Sequence, residues 1–201
     1  MRRDEGRRIA PEQMRQRLVT ATVDCLVEFG FAGTTTQRVQ SRADVSRGAL
    51  LHHFPSKSDL FVAAIRQVAQ RQVARMRTAA THAPAGADRV AFAVSVLRQA
   101  MSGPEFLAGH ELWMAARTDP GLREVLGPYE REAGQVLRQV GAELFGPEYA
   151  QLPGFPVAFE SLLELLRGLA MTSLLRAGEA REQRVLAAWQ SVFPDLCQAA
   201  G

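Results

Sequence analysis

The chain has 201 residues, 47% of them hydrophobic and 22% charged, with a formal net charge of +3. That length can bury a real core, as one elongated domain or as a small one plus a larger one, and the composition is ordinary for a globular protein. Several classes fall away: no apolar run approaches the ~18 residues of a membrane span, and Cys25 and Cys197 lie far apart without metal-ligand spacing, so they read as buried, inert thiols.

The charge is unevenly spread. Residues 1–60 hold ten Lys/Arg against seven Asp/Glu, whereas residues 61–201 hold fourteen of each. The whole excess therefore sits in the first sixty residues, where contact with phosphates would need it. A net charge this modest does not by itself argue for nucleic acid.

Residues 1–10 are charged and aperiodic, which predicts a mobile basic arm; such arms can enter a minor groove beside a major-groove helix. The opening MRRDEGRRIAPEQ has no apolar core of a signal peptide and leads into an amphipathic helix, so the protein is expected in the cytoplasm, with no membrane partner. Pro11 suits a first helical turn, and Leu18, Ala21, Thr22, Cys25, Leu26 and Phe29 recur at helical spacing up to Gly30, a C-terminal stop.

The stretch TTTQRVQSRADVSRGALLHHFPSK, residues 34–57, reads as two short helices around a tight turn. Thr34 with Gln37 forms a capping box, Asp44 tolerates the left-handed conformation a sharp turn needs, and Ser46 caps the second helix. Leu50 and Phe54 face inward four residues apart, leaving Arg47, Gly48, Ala49, His52 and His53 on the other face. Small residues let a backbone approach closely, and the Arg fork suits guanine edges or phosphate. Adjacent His52 and His53 point about 100° apart, so they do not form an i, i+4 metal pair. This is a helix-turn-helix with a recognition helix.

With GFAGTT before it and ALLHHFPSK after it, the segment resembles the DNA-binding motif of TetR-type transcriptional repressors, closely over about residues 14–62. The resemblance implies a DNA-facing set of Thr35, Gln37, Arg38, Ser46, Arg47, Gly48, Ala49, His52, His53 and Lys57. In it, His53 and Lys57 match positions that hold phosphates and His52 one nearer the groove; Arg47 and Ala49, at the start of the recognition helix, are expected to meet base edges. Three positions depart from the usual pattern: Gln40 replaces a small Ala, Asp44 a turn Gly, and Leu51 a phosphate-contacting Tyr.

Past Pro55, Ser56 and Asp59 cap a helix of about 56–80, the expected connector between a DNA-binding domain (1–55) and a body (56–201) for ligand binding and dimerisation. It is expected to be the only element able to report ligand occupancy to the DNA face. Helices of about 89–102, 104–118 and 120–145 follow, then a loop at 146–156 with three prolines, then helices of about 157–177 and 180–198. Strand signals are absent, so the fold class is all-α with about nine helices.

In the body, Phe106, His110, Trp113, Met114 and Arg117 share one side of a helix. No nucleophile or acid–base partner stands near His110, so catalysis is not expected, and neither is a cofactor or a metal. The set reads either as core or as the wall of a cavity for a small, largely apolar effector. Leu162, Leu166, Leu169, Ala170, Trp189 and Phe193 on the last two helices read either as core or as a homodimer seam. The function expected is a ligand-released repressor of a pseudo-palindromic operator. The rivals are a small-molecule-binding helical protein with impaired DNA binding, kept open by Gln40, Asp44 and Leu51, and a protein-binding adaptor.

Overall fold

The computed structural model describes residues 10–85, 88–176 and 178–199; apart from Ala10, the expected basic arm lies outside them. Among the described residues there are ten helices and no strand: α1 (Pro11–Gly33), α2 (Thr36–Ala43), α3 (Arg47–His53), α4 (Lys57–Ala80), α5 (Asp88–Ala100), α6 (Pro104–Ala116), α7 (Pro120–Phe145), α8 (Pro147–Ala150), α9 (Phe155–Ser173) and α10 (Glu179–Gln198). The extra helix is α8, a single turn inside the stretch expected to be a loop. Its opening Pro147 pre-sets the dihedral of a first helical turn.

The start of the helix-turn-helix differs from expectation by one residue. Gly30 breaks α1 with φ 66° and ψ −178°, and closing that break occupies Thr34. Its hydroxyl donates to the Gly30 carbonyl at 2.7 Å and its amide does so at 3.1 Å, with the side chain fully buried. Capping of α2 passes to Thr35, whose hydroxyl accepts from the Arg38 amide at 3.2 Å. Ser46 caps α3 by accepting from the Ala49 amide at 3.2 Å, and Ser56 with Asp59 forms a full capping box on α4.

The turn between α2 and α3 closes on Asp44, at φ 53° and ψ 56°. It is the one non-glycine residue at positive φ among those described. From α1, Arg17 donates to the Ala43 carbonyl at 2.6 Å and lies 4.0 Å from the Asp44 carboxylate, so a cation braces the turn where a glycine is usual.

Three apolar clusters stack along the molecule. The first joins α1, α2 and α3 through Leu18, Cys25, Val39, Leu50 and Phe54, with Leu60 of α4. The second puts the other face of α1 (Val23, Leu26) against Phe61 and Ile65 of α4, Leu112 of α6, and Leu122 and Leu126 of α7. The third holds α5, α7, α9 and α10 together around Phe145, Phe155, Phe159 and Phe193. α4 contributes to all three, and its Arg66 pairs with Glu132 of α7 at 2.7 Å.

This third cluster corrects the expected dimer seam. Leu162, Leu166 and Phe193 are at most 2% exposed, and Leu169 and Trp189 are 8% exposed; Ala170 is half-buried. Trp189 Nε1 donates to Ser161 Oγ at 3.1 Å. These side chains face their own chain because α9 and α10 pack on each other and on α5 and α7. The apolar residues left outside on this lobe are Val157, Met171, Leu174, Leu175, Val192 and Leu196.

Candidate nucleic-acid interface and ligand cavity

The outer face of α3 is held out from the body by Leu50 and Phe54, both buried. Arg47, Gly48 and His52 are exposed, with Ala49 and His53 half-buried beside them. Among the described residues Arg47 has no ion-pair partner, so its guanidinium is free for another molecule. A Cβ on Gly48 would come no closer than 3.9 Å to any atom, that atom being Ser46 Oγ. Packing therefore does not require glycine there, whereas close approach of a flat surface would. The rings of His52 and His53 sit 5.3 Å apart at 72°. Among the described residues no cluster of three metal-ligating side chains occurs.

Other members of the expected set are partly engaged within the protein. Thr35 and Ser46 use their oxygens as caps. Arg38 donates to the Gly33 carbonyl at 2.5 Å and lies over the Phe29 ring at 4.4 Å. The Lys57 ammonium lies 5.2 Å from the Phe31 ring and 4.9 Å from the Phe61 ring, and this desolvation lowers its pKa. Gln37 projects into solvent, and Leu51 is exposed where a phosphate-contacting hydroxyl would stand.

Behind α4 a cleft of about 140 Å³, partly open to solvent, runs between α4, α6 and α7. Phe106, His110 and Trp113 line it as expected. Met114 and Arg117 do not. One step of ~100° per residue around α6 turns Met114 out to 59% exposure, and Arg117 lies past the helix end at the surface.

The cleft is lined mainly by apolar side chains, with a few polar and charged ones among them. Glu130 of α7 accepts from Trp113 Nε1 at 2.6 Å, and its burial raises the carboxyl pKa. Tyr129, pushed up to about 12 by burial, stands beside it. Arg167 of α9 lies over the Trp113 ring at 5.1 Å and pairs with Glu164. His110 Nδ1 donates to the Phe106 carbonyl at 3.2 Å, burial lowers the ring's pKa, and Nε2 has no partner.

Residues 18–64 match the profile of bacterial regulatory proteins of the tetR family. An uncharacterised HTH-type transcriptional regulator of Mycobacterium tuberculosis is 32% identical over 180 residues, 87% of this chain and 90% of that protein. The chain belongs to the tetR family. The HTH-type transcriptional repressor AcnR of Corynebacterium glutamicum is 38% identical over 61 residues, 30% of this chain and 32% of that protein. Among solved structures, the multidrug binding protein EbrR complexed with imidazole superposes with a TM-score of 0.64 at 25% identity, covering 93% of this chain and 96% of that one.

As a TetR-type protein the chain is a DNA-binding transcriptional regulator and not an enzyme. Sequence reasoning missed the parts of this TetR fold that come from elsewhere in the chain. Arg17 reaches the recognition turn across 26 positions, and Glu130 and Arg167 reach the cleft from α7 and α9. It also missed Glu111 on the outer side of α6, whose carboxylate accepts from the Phe31 amide at 2.6 Å. Among the described residues no helix is long and apolar enough to cross a membrane.

Proposed function

We propose that the chain is a cytoplasmic repressor that binds a pseudo-palindromic operator as a homodimer and leaves it when a small molecule fills the cleft behind α4. The observation that carries this is the course of α4. Its capping box stands beside α3, and one turn after another of the same helix (Ile65, Val68, Gln72, Met76) forms the cleft wall. A ligand that prefers one position of α4 over another shifts the population of DNA-competent molecules by that difference in affinity.

Sequence recognition is assigned to Arg47 with Gly48 and Ala49 at the start of α3, where side chains reach base edges. Backbone contacts are assigned to Thr35, Gln37, Arg38, Ser46, His53 and Lys57, with His52 nearer the groove. The subunit contact is assigned to the outward face of α9 and α10 and the turn after α9, around Met171, Leu175, Val192 and Leu196, where a second copy would cover apolar surface. The repressor AcnR and the ligand-binding EbrR are in keeping with both halves of this function.

A mobility shift with DNA flanking the chain's own gene tests it. Arg47→Ala should lose roughly 1–3 kcal/mol on the cognate site and discriminate less between sequences. Lys57→Gln should weaken cognate and random DNA alike and flatten the salt slope by about one unit. Equal losses from both variants on every sequence would refute the division of labour.

A further inference from the structure

Two carboxylates on the cleft wall, Glu130 and Glu105, stand outside any ion pair among the described residues, although Gln72 and Tyr129 bring neutral donors to the same wall. Among the described residues Glu130 makes one hydrogen bond, from the Trp113 indole, and no ion pair, the Arg167 charge acting on it only from farther off. Glu105 lines the same cleft, also without a cation partner among the described residues. The one Arg or Lys on the wall, Arg167, is already paired with Glu164 and lies over Trp113. An independent sign comes from His110, 8% exposed and set between the rings of Phe106 and Trp113 at 4.4 and 4.9 Å. With Nδ1 donating to a backbone carbonyl, neutral His110 has only an acceptor at Nε2, and that acceptor has no partner.

Buried polar atoms in folded proteins are nearly always hydrogen-bonded, so each exception calls for a partner. A buried carboxylate is costly unless paired and hydrogen-bonded. An anionic ligand would add a third negative charge next to Glu130 and Glu105. A neutral one would leave Glu130 as uncompensated as before. A cation with N–H groups supplies what both Glu130 and His110 lack, and the faces of Phe106, Trp113 and Tyr129 attract positive charge as well as apolar bulk.

Resting on the effector-binding function proposed above, we infer that this cleft selects an organic cation: an ammonium or amidinium with N–H donors, held by Glu130, on an aromatic body lying against Phe106 and Trp113. His110 Nε2 accepts a second N–H, or that of a bound water.

A matched series tests the inference: 3,3-diphenylpropylamine, 3,3-diphenylpropanol and 3,3-diphenylpropionate, identical in body and differing in charge. Each is titrated into the full-length protein by calorimetry, so no operator is needed. The amine should bind at least about tenfold tighter than the alcohol, the size of a charge-assisted contact, and the acid most weakly. This ranking is read on the unaltered protein and does not depend on a variant folding. In Glu130→Gln the amine should fall to within about twofold of the alcohol, whose own affinity holds. Ala133→Trp, which fills the cleft, should abolish binding of both.

An alcohol or acid that binds as well as the amine would overturn the cation selectivity while leaving the cleft as a binding site. A preference for the amine that persists in Glu130→Gln would overturn the assignment of Glu130. Failure of all three compounds to bind, or binding undiminished in Ala133→Trp, would overturn the effector cleft together with this inference.

Discussion

Glu111 offers a direct test of how the cleft speaks to the DNA-binding unit. α4 was expected to be the only element joining the two, but α6 also does so: its inner side lines the cleft through Phe106, His110 and Trp113, and its outer side holds α1 through Glu111. The Glu111 carboxylate accepts the Phe31 amide that the break at Gly30 leaves free. A Cβ on Gly30 would lie only 2.8 Å from Glu111 Oε2, so the two elements meet closely. The contact is exposed to water, so Glu111→Ala removes about 1 kcal/mol, the usual net worth of one hydrogen bond. That is about fivefold in an equilibrium constant, a sizeable share of an effector coupling of typically 1–3 kcal/mol. The assay titrates 3,3-diphenylpropylamine into free protein and into protein saturated with operator DNA, and the ratio of the two affinities is the coupling. Glu111→Ala should reduce that ratio by up to about fivefold while leaving affinity for the amine in free protein unchanged, because Glu111 lies outside the cleft. An unchanged ratio would refute the role of the Glu111 contact in the coupling.

Three further outcomes follow from the packing. Gly141→Ala would put a Cβ 2.4 Å from the ring of Phe159, itself 1% exposed and packed against Phe155 and Phe145. Overpacking of about 1–3 kcal/mol exceeds the ~1 kcal/mol gained by replacing a helical glycine, so calorimetry should show a lower Tm, and an unchanged or raised Tm would refute the close crossing of α7 and α9. Glu130 has a folded-state pKa raised above its ordinary 4.5, chiefly by burial and against the Trp113 hydrogen bond and Arg167. Its ionised form therefore costs stability above the folded value, and the cost disappears as pH falls toward 4.5. Glu130→Gln should melt above the unaltered protein at pH 7, with the gap closing toward that value; a gap independent of pH would refute burial as the cause. Val192→Glu, on the 46% exposed outer side of α10, should yield a folded monomer in sedimentation, whereas Leu169→Glu should unfold the chain by burying an unpaired charge. A Val192→Glu protein that remains dimeric would move the interface elsewhere.

What could be read directly from the sequence was local in origin. The all-α class, the two short helices around Asp44, the caps at Ser46 and Ser56 and the inward pair Leu50 and Phe54 depend on spacing, dihedral preference and side-chain oxygens within a few residues. The same local signals placed nine of the ten boundaries of the five longer helices after the connector to within about two residues, the end of α9 being the exception, because Gly and Pro mark them. The exception in kind was Thr34: its spacing to Gln37 satisfied the capping pattern, but its hydroxyl went to the break at Gly30, and Thr35 took the cap.

Tertiary structure decided what lies between helices. Periodicity shows that one side of α9 and α10 is apolar, but not whether that side meets its own chain or another copy. Here Leu162, Leu166, Leu169, Trp189 and Phe193 are absorbed by α5 and α7, and the outward face falls to less conspicuous residues such as Met171 and Val192. Likewise α6 alone could not reveal that Met114 turns away from the cleft, nor that Glu130 and Arg167 enter it from α7 and α9. The polarity of a cavity is set by side chains distant in sequence, and only the packing of their helices brings them to one wall.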